Sequence, residues 1–319
     1  MNSRIYKELS SMEIDRVITD LYGNNTKITE CRIMKGGLFN TTYYIATDAD
    51  AAGIVLRVAP VNKHLLFEYE KTMMSAEPLF HRLLSEKQVP TSKILKYSAA
   101  GDVIEREYII SKYIPSVPMN DPSLEGQDLD YLYEQAGALA RKIHEITGDK
   151  FGWKRPDGLS EYETWSEFVF AFAEEAAEKA GEHKLFTAAE INIFKTVFTE
   201  NADVLDEIKT PFMTHTDLWQ GNILLSEISG RHEISGIIDL DRTIFGDKYW
   251  DLSNPWIINA PFLKGYADDE YKGSNYNKRQ FLYKLLGGFF GCYVVLIEYD
   301  DNVWFENEKA ACVSLLRTI

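Results

Sequence analysis

Cysteine is scarce in this chain of 319 residues, and the three present, Cys31, Cys292 and Cys312, form no Cys-x-x-Cys pair. Neither a disulfide framework nor a cysteine-bound zinc site is predicted, which favours a reducing compartment. Long apolar runs are also missing, since the longest, at 287–297, is far shorter than the roughly 18–20 residues of a membrane span. The N-terminus carries no apolar segment of signal-peptide length. We therefore expect a cytoplasmic protein that does not bind a membrane.

Positive charge is scarce in the second part of the chain. Residues 1–115 contain 15 Lys/Arg and 14 Asp/Glu, whereas residues 116–319 contain 19 Lys/Arg and 35 Asp/Glu. The formal net charge of −15 repels nucleic acids and anionic surfaces, so we expect no nucleic-acid partner. Two explanations stay open for the acidic part: a solvated surface that keeps the protein soluble, or attraction of a cationic substrate.

The length of the chain favours two lobes rather than one hydrophobic core. The sequence pattern changes at the proline-rich segment "PSVPMNDPS" (115–123), which we interpret as a connector between the lobes. β-rich segments are frequent before it and helical patterns dominate after it. The sequence therefore predicts an α+β protein with an N-terminal lobe of residues 1–115 and a C-terminal lobe of residues 116–319.

The smaller lobe combines two helical patterns with several β-rich segments. A capping box at Ser10 and Glu13 predicts a helix over 10–22 that ends at Gly23. Apolar residues at helical spacing predict a second helix over 72–88, with Pro78 in its first turn, where proline is tolerated. The predicted strands lie in "ITECRIM", "NTTYYIAT", "GIVLRVAP", "SKILKYS" and "EREYIISKYI".

The larger lobe contains one β-rich island among helices. Helical patterns cover 129–147, 162–182, 187–206 and several segments after 255, and the island lies at about 211–245. Within it, "NILLS" (222–226) and "ISGIID" (234–239) are joined by "EISGRHE", whose Ser-Gly pair favours a turn. These features predict an antiparallel hairpin.

Pairing of the two strands would place three polar side chains together. Asn222 and Asp239 would face one another at the open end of the hairpin, with Asp217 a few residues earlier. An amide oxygen and two carboxylates are ligands that suit a hard cation such as Mg²⁺. Taken singly, Asp239 as a turn cap and Asn222 as a backbone partner are the simpler interpretations.

The motif His215-x-Asp217-x4-Asn222, followed by Ile238-Asp239, resembles the aminoglycoside phosphotransferase and choline kinase group of small-molecule kinases. "FGDKYWDLSNP" (245–255) and "LARKIHEITGDKFGW" (139–153) are also similar to segments of that group. The resemblance implies a bilobal protein-kinase-like fold. Its small N-terminal lobe would hold an antiparallel sheet and a helix, and its larger, mostly helical lobe an embedded catalytic hairpin.

The resemblance also assigns roles to the polar residues of the larger lobe. It implies that Asp217 is the catalytic residue, acting on the hydroxyl group of the substrate. It implies that Asn222 and Asp239 hold Mg²⁺, which bridges the terminal phosphates of the nucleotide. His215 and Asp241 are implied to support the site rather than to react. The acidic residues of the downstream segment, Asp247 and Asp251, are implied to tie the loop to nearby helices.

In the smaller lobe, "MKGGLFNTTYYI" (34–45) is similar to the glycine-rich loop of the same group. The resemblance implies that Gly36 and Gly37 let backbone amides approach the phosphates, with Asn40 and Tyr43 at matching positions. A Gly-Gly turn is common in hairpins, so this motif is weak evidence when taken by itself.

A cation for the phosphates is expected on the third strand, where protein kinases carry lysine. This chain has Arg57 there, and an arginine can hold phosphate oxygens with a two-pronged contact. Its acidic partner is expected on the next helix, at Glu77 by spacing, with Glu70 as the alternative. The resemblance further implies that the main chain around Lys112 and Tyr113 binds the base.

The predicted function is transfer of the terminal phosphate of ATP or GTP to a hydroxyl group of a small molecule. The acidic larger lobe makes a cationic acceptor such as an aminoglycoside the first hypothesis, with choline, fructosamine, macrolide and sugar kinases as alternatives. A nucleotide-binding module without catalysis is disfavoured because the carboxylates at 217 and 239 are both present. A protein kinase is disfavoured because "D-F-G" and "A-P-E" are missing. A monomer and a homodimer are both compatible with the sequence.

Overall fold

The computed structural model describes residues 3–34, 37–154, 161–267 and 275–319. Its first helix, α1 (Ser11–Tyr22), begins with the predicted capping box, in which Ser10 and Glu13 each accept the backbone N–H of the other. The helix ends at Gly23, whose φ of +96° is costly for any residue with a side chain. Its buried face packs on the sheet of the smaller lobe.

The smaller lobe is built on an antiparallel five-stranded sheet with the strand order β1-β2-β3-β5-β4. The strands are β1 (Ile28–Ile33), β2 (Thr41–Thr47), β3 (Ile54–Val58), β4 (Ile94–Ser98) and β5 (Tyr108–Lys112). Each predicted β-rich segment contributes one of them. The central strand β3, which carries Arg57, pairs with both β2 and β5. Hydrogen bonds on both sides therefore fix the backbone from which the Arg57 side chain extends.

Helix α2 (Met73–Glu86) connects β3 to β4 and begins one residue after the predicted start, so Pro78 is its sixth residue. Pro78 therefore lies inside the helix, and the prediction that it occupies the first turn is wrong. A 3-10 turn at Tyr69–Lys71 precedes the helix. A proline at this depth removes one backbone hydrogen bond from the helix.

The larger lobe is mostly helical. Its helices are α3 (Asp130–His144), α4 (Trp165–Glu182), α5 (Ala188–Thr199), α6 (Ala202–Leu205), α7 (Ala260–Tyr266), α8 (Tyr276–Tyr293) and α9 (Asn302–Leu316). A π-helical turn, Val294–Glu298, extends α8. Over Tyr276–Glu298 this combined helix has the length and apolar composition of a membrane span, but 61% of the apolar window is buried inside the protein. Its apolar side chains pack among α4, α5 and α9, as expected for a core helix.

The strands of the β-rich island pair with two short strands from earlier in the chain and form two small sheets. Their orders are β10-β9-β6 and β7-β11-β8. Their strands are β6 (Val117–Pro118), β7 (Gly152–Trp153), β8 (Phe212–Thr214), β9 (Ile223–Ile228), β10 (Arg231–Ile237) and β11 (Ile244–Gly246). The predicted hairpin is β9 and β10. Its turn is limited to Ser229 and Gly230, with φ of +54° and +80°, so most of the segment expected to be a loop is strand.

The small sheets lie across the expected boundary between the lobes. The five-stranded sheet ends at Lys112, and β6 already pairs with β9 of the larger lobe. At the other end of the chain, Ile5 packs in the core of the larger lobe, and the N–H of Arg4 donates to the carbonyl of Glu298 (2.8 Å). The division at residues 115 and 116 stays a prediction.

Candidate functional site

The loop between β8 and the 3-10 turn at Gln220–Asn222 is held from within by a buried histidine. His215 is 0% exposed, and its Nε2 lies 3.0 Å from the carbonyl of Ile238 on the neighbouring strand segment. The N–H of Asp217 donates to its Nδ1 (3.3 Å), which ties the ring to the residue two positions along the loop. This placement agrees with the supporting position expected for His215.

Asp251 connects the same loop to two helices. Its carboxylate accepts the N–H groups of His215 (2.9 Å) and Thr216 (2.7 Å), and it lies 3.0 Å from Nε2 of His144 at the end of α3. The other nitrogen of His144 lies 2.7 Å from the hydroxyl of Tyr266 in α7. Burial by itself would raise the pKa of Asp251, but the contact with His144 holds it below its ordinary value. The loop is therefore anchored by an ionised carboxylate.

Asp247 makes the corresponding connection to α8. Its Oδ2 accepts from Nε of Arg279 (3.0 Å) and from the hydroxyl of Tyr283 (2.7 Å). Tyr283 in turn accepts from the indole N–H of Trp165 in α4 (2.9 Å). Asp247 and Asp251 thus tie the loop region to helices, in agreement with their expected positions.

Asp217 and Asn222 contact each other directly. The amide nitrogen of Asn222 donates to the backbone carbonyl of Asp217 (2.9 Å) and to its Oδ2 (3.0 Å). Burial raises the pKa of Asp217 to about 6, although the positive charge of Arg242 opposes the shift. The pair presents a carboxylate of raised basicity beside an amide oxygen.

Asp239 and Asp241 follow β10 in the larger lobe. Arg57 on β3 connects both of them to the smaller lobe. Nη2 of Arg57 donates to Asp239 (2.6 Å) and to Asp241 (2.8 Å), while Nη1 contacts Glu77. The structure therefore pairs Arg57 with Glu77 rather than with Glu70. Burial, followed by the charge of Asp241, raises the pKa of Asp239 to about 7 against the effect of Arg57.

The expectation that Asn222 and Asp239 face one another is wrong in detail. The two-residue turn pairs Arg231 with Ile228, a register that would set Ile237 opposite Asn222, and the bulge between Ile234 and Gly236 moves this by only one residue, so that the N–H of Ile238, not Asp239, donates to the carbonyl of Asn222 (3.1 Å). Asp239 follows with a left-handed backbone (φ +66°), and its carboxylate contacts Arg57 while the amide of Asn222 contacts Asp217. The predicted residues form two separate contacts, Asp217 with Asn222 and Arg57 with Asp239.

Asn40 extends the Arg57 cluster to the glycine-rich loop. Its amide nitrogen donates to Oδ2 of Asp241 (3.0 Å), the atom that also accepts from Arg57. Gly36 lies outside the described residues. A Cβ on Gly37 would lie 3.4 Å from the carbonyl of Asn40, an ordinary van der Waals contact, so the surroundings of this exposed residue leave room for a side chain. Asp241 therefore joins two small-lobe segments to the larger lobe.

The main chain near Lys112 and Tyr113 is engaged within the smaller lobe. The N–H of Lys112 donates to the carbonyl of Lys93 (2.9 Å), and that of Tyr113 donates more weakly to Gly53 (3.3 Å). The ammonium group of Lys112 contacts Asp50 (2.5 Å). Base binding by Lys112 and Tyr113 stays a prediction.

Arg242 is a site residue that the sequence did not reveal. It is buried among aromatic rings and donates to the hydroxyl of Tyr69 and to Glu70, both at 2.8 Å, and its positive charge acts on Asp217. Its backbone carbonyl accepts from the hydroxyl of Thr216 in the loop (2.9 Å). An arginine directly after the Asp-x-Asp of "IDLDR" was the available signal.

Behind Arg242 lies a buried carboxyl group without a hydrogen-bond donor. Glu298 is 0% exposed, and within the described ranges no N–H group donates to its carboxyl oxygens, whose polar neighbour is the carboxyl group of Glu70. Burial, followed by the charge of Glu70, raises the pKa of Glu298 to about 10, against the lowering effects of Arg242 and Lys179. Glu298 is therefore protonated in the folded protein at neutral pH.

We expect Glu298→Gln to stabilise the protein increasingly as the pH rises. Above the ordinary carboxyl pKa, the unfolded chain loses the Glu298 proton while the folded protein keeps it, so wild-type stability falls with pH by about 1.4 kcal/mol per unit from this group. Glutamine is neutral in both states and removes that slope. Urea unfolding at about pH 6 and about pH 8 measures it, with the exposed Glu306→Gln as the matched control. Equal slopes in wild type and Glu298→Gln would contradict the assignment.

The oxygen donors at the two contacts suit a hard divalent cation. The amide nitrogen of Asn222 is committed to Asp217, which leaves its carbonyl oxygen as a donor. Arg57 donates to Oδ1 of Asp239. The side chain of Asp239 is 39% exposed, so it can still contact a ligand. Amide and carboxylate oxygens without sulfur or imidazole ligands are typical of magnesium sites.

Comparison with known proteins supports one family. A model of the phosphotransferase enzyme family matches residues 30–282. Hygromycin-B 4-O-kinase from Escherichia coli is 25% identical over 251 residues, which cover 73% of this chain and 69% of that protein.

Solved structures agree in fold. A thermostable mutant of aminoglycoside phosphotransferase APH(4)-Ia, in complex with ADP and hygromycin B, is 18% identical with a TM-score of 0.69, covering 96% of this chain and 98% of that chain. A Thermobifida fusca protein described as a fructosamine-3-kinase is 16% identical with a TM-score of 0.64, covering 96% and 100%. The predicted α+β, protein-kinase-like fold is confirmed.

The family match runs from β1 into α8 and includes both the Asn40 loop and the Asp217 loop. It covers well over half of the chain, and the relative found by sequence is itself a small-molecule kinase. The chain therefore belongs to the phosphotransferase enzyme family and is a small-molecule kinase.

Proposed function

We propose that this enzyme transfers the terminal phosphate of ATP, or of GTP, to a hydroxyl group of a small cationic acceptor, with an aminoglycoside as the first candidate. One observation carries the proposal: the Asp217–Asn222 contact and the Arg57–Asp239–Asp241 cluster lie close enough to act on each other electrostatically, since, besides burial, the charge of Asp241 raises the pKa of Asp217 and the charge of Asp217 raises that of Asp239. The acidic composition of residues 116–319 supports a cationic acceptor. The sequence relative and a solved neighbour that act on or bind hygromycin B support the aminoglycoside.

Asp217 is the catalytic residue in this proposal. The acceptor oxygen attacks the terminal phosphorus, the bond to the bridging oxygen breaks, and the acceptor proton passes to the Asp217 carboxylate. The products are a phosphate monoester and ADP or GDP. A carboxylate with a pKa near 6 is a stronger base than an ordinary aspartate and is still ionised at neutral pH.

The remaining residues position the nucleotide. Asn222 and Asp239 would hold Mg²⁺, which neutralises charge on the phosphates. Arg57, together with the backbone of the loop at Gly36, Gly37 and Asn40, would bind phosphate oxygens.

Supporting residues hold these groups in place. Glu77 and Asp241 restrain the guanidinium of Arg57 from two sides, so its direction is fixed before a nucleotide binds. His215 fixes the loop that carries Asp217, through the contact with the Asp217 N–H.

A substrate panel tests the proposed function. We expect ADP release in the presence of Mg²⁺ and ATP or GTP to rise on adding hygromycin B or another aminoglycoside, and to rise less with choline, a fructosamine, a macrolide or a neutral sugar. Mass spectrometry of the acceptor would show the added phosphate. Higher turnover with the fructosamine than with any aminoglycoside would contradict the aminoglycoside as acceptor and indicate a fructosamine kinase. Nucleotide binding without turnover on any compound would contradict a kinase and favour a binding module.

A further inference from the structure

A pair of tryptophans stands beside the proposed catalytic residue. Along the loop, Leu218 is buried (1% exposed), whereas Asp217 and Trp219 on either side of it are partly exposed. Both side chains on either side of Leu218 therefore reach solvent in part. The indole of Trp219 lies against Gly221, where a Cβ would collide with the ring, so the glycine allows the ring to lie on the backbone.

The second tryptophan comes from the segment before α7. Trp256 meets Trp219 with ring centroids 6.2 Å apart and an angle of 64° between the rings, an edge-to-face contact. Trp256 is 63% exposed, and the other strongly exposed large apolar side chains of the described residues are aliphatic or methionine. An indole that is this exposed, one ring contact and two residues of chain away from Asp217, is a feature typical of a binding surface.

Hydrogen bonds fix the position of this pair. The amide of Asn254 donates to the carbonyl of Leu218 (3.0 Å) and accepts the N–H of Trp256 (3.0 Å). The amide of Gln220 donates to the carbonyl of Trp256. The Trp256 segment is therefore attached at two points to the loop that carries Asp217, and the exposed ring is held in a set place.

We propose that Trp219 and Trp256 form an acceptor subsite, here called the tryptophan shelf, that binds a saturated, amine-bearing ring of the acceptor. This inference rests on the proposed function and specifies how its substrate is recognised. The C–H face of a cyclitol or pyranose ring packs on indole, and an ammonium substituent is attracted to the indole face. Two residues of extended chain span about 7 Å, roughly the width of such a ring with its substituents. A ring on the shelf can therefore present a hydroxyl group to Asp217.

Kinetics of Trp256→Ala test the shelf, because this exposed side chain contributes little to the core. With the panel compound that gives the highest turnover, we expect KM for the acceptor to rise about tenfold or more, as loss of an aromatic contact in a binding site predicts. The KM for ATP should stay within about twofold, and Trp256→Phe should recover most of the acceptor affinity. Ile228→Ala, which removes an exposed apolar side chain from the tip of the β9–β10 hairpin, is the matched control.

Binding without turnover gives a second readout. In an Asp217→Asn background, calorimetric titration with the same compound should show weaker binding when Trp256 is also replaced by alanine. An unchanged acceptor KM and affinity in Trp256→Ala, with normal turnover, would overturn the shelf alone. Absence of turnover with every panel compound in the wild-type enzyme would overturn the proposed function and the shelf together.

Discussion

Replacing Asp217 with asparagine should lower kcat by at least about a hundredfold, the usual contribution of a positioned general base. Asparagine has nearly the same shape, and its amide oxygen can still accept from Asn222, so the loop should keep its conformation. It cannot take the proton of the acceptor. KM for ATP should change little, because Asp217 contacts neither Arg57 nor Asp239 in the hydrogen-bond network. Steady-state ADP release measures both parameters.

The pH dependence of the wild-type enzyme provides an independent check on Asp217. The residue must be ionised to act, and burial raises its pKa to about 6, so kcat should fall as the pH drops through that value. A cation held nearby would favour the carboxylate and move the fall to lower pH. The exposed Asp203→Asn on α6 is a suitable control for loss of one carboxylate. Undiminished turnover in Asp217→Asn would remove this residue from the catalytic role.

Replacing Asp239 with alanine should abolish the dependence of nucleotide binding on magnesium. The substitution removes a carboxylate that would bind the cation, and magnesium sites with one or two carboxylates tolerate such a loss poorly. It also removes one of the acceptors that hold Nη2 of Arg57. Affinity for ATP in the presence of EDTA should therefore stay the same or increase, since Arg57 is freer to meet the phosphates.

Titration of wild type and Asp239→Ala with ATP, in Mg²⁺ and in EDTA, separates these two effects. Asp241→Asn is the matched control, because it removes a neighbouring negative charge that contacts the same guanidinium. Magnesium should still strengthen ATP binding in that control. An unchanged magnesium dependence in Asp239→Ala would contradict the assignment of Asp239 to the cation.

The sequence was informative where local patterns determine structure. The capping box of α1, the strands of the small sheet and the β9–β10 hairpin follow from periodicity and turn residues, and all were predicted. The spacing of Arg57 and Glu77 also anticipated a contact that the structure contains. These features depend on residues close in sequence or on a repeated pattern that burial imposes.

Other parts of the site depend on contacts that no local pattern encodes. The tight turn at Ser229 and Gly230 set a register that leaves Asp239 beyond the position opposite Asn222, and the bulge at Ile234 and Gly236 corrects it by only one residue, a shift that is not visible in a hydrophobic alternation. The contact of Arg242 with Glu70 joins residues 172 positions apart. Glu298 became a neutral carboxyl only because the tertiary fold buried it beside Glu70. The roles of the site residues therefore depend on the experiments above.

Under the proposed function, in which Arg57 binds phosphate and Asp239 binds the cation, the contacts of Arg57 with Asp239 and Asp241 make nucleotide binding an exchange of partners rather than a simple addition. An incoming phosphate must displace a carboxylate that already satisfies the guanidinium, and the displaced Asp239 then needs a positive charge of its own. A ligand that brings an anion and a cation together meets both demands at once. A nucleoside without phosphates, or a phosphate without a bound metal, meets at most one of these two demands. The unliganded site is therefore expected to favour a metal-chelated nucleotide.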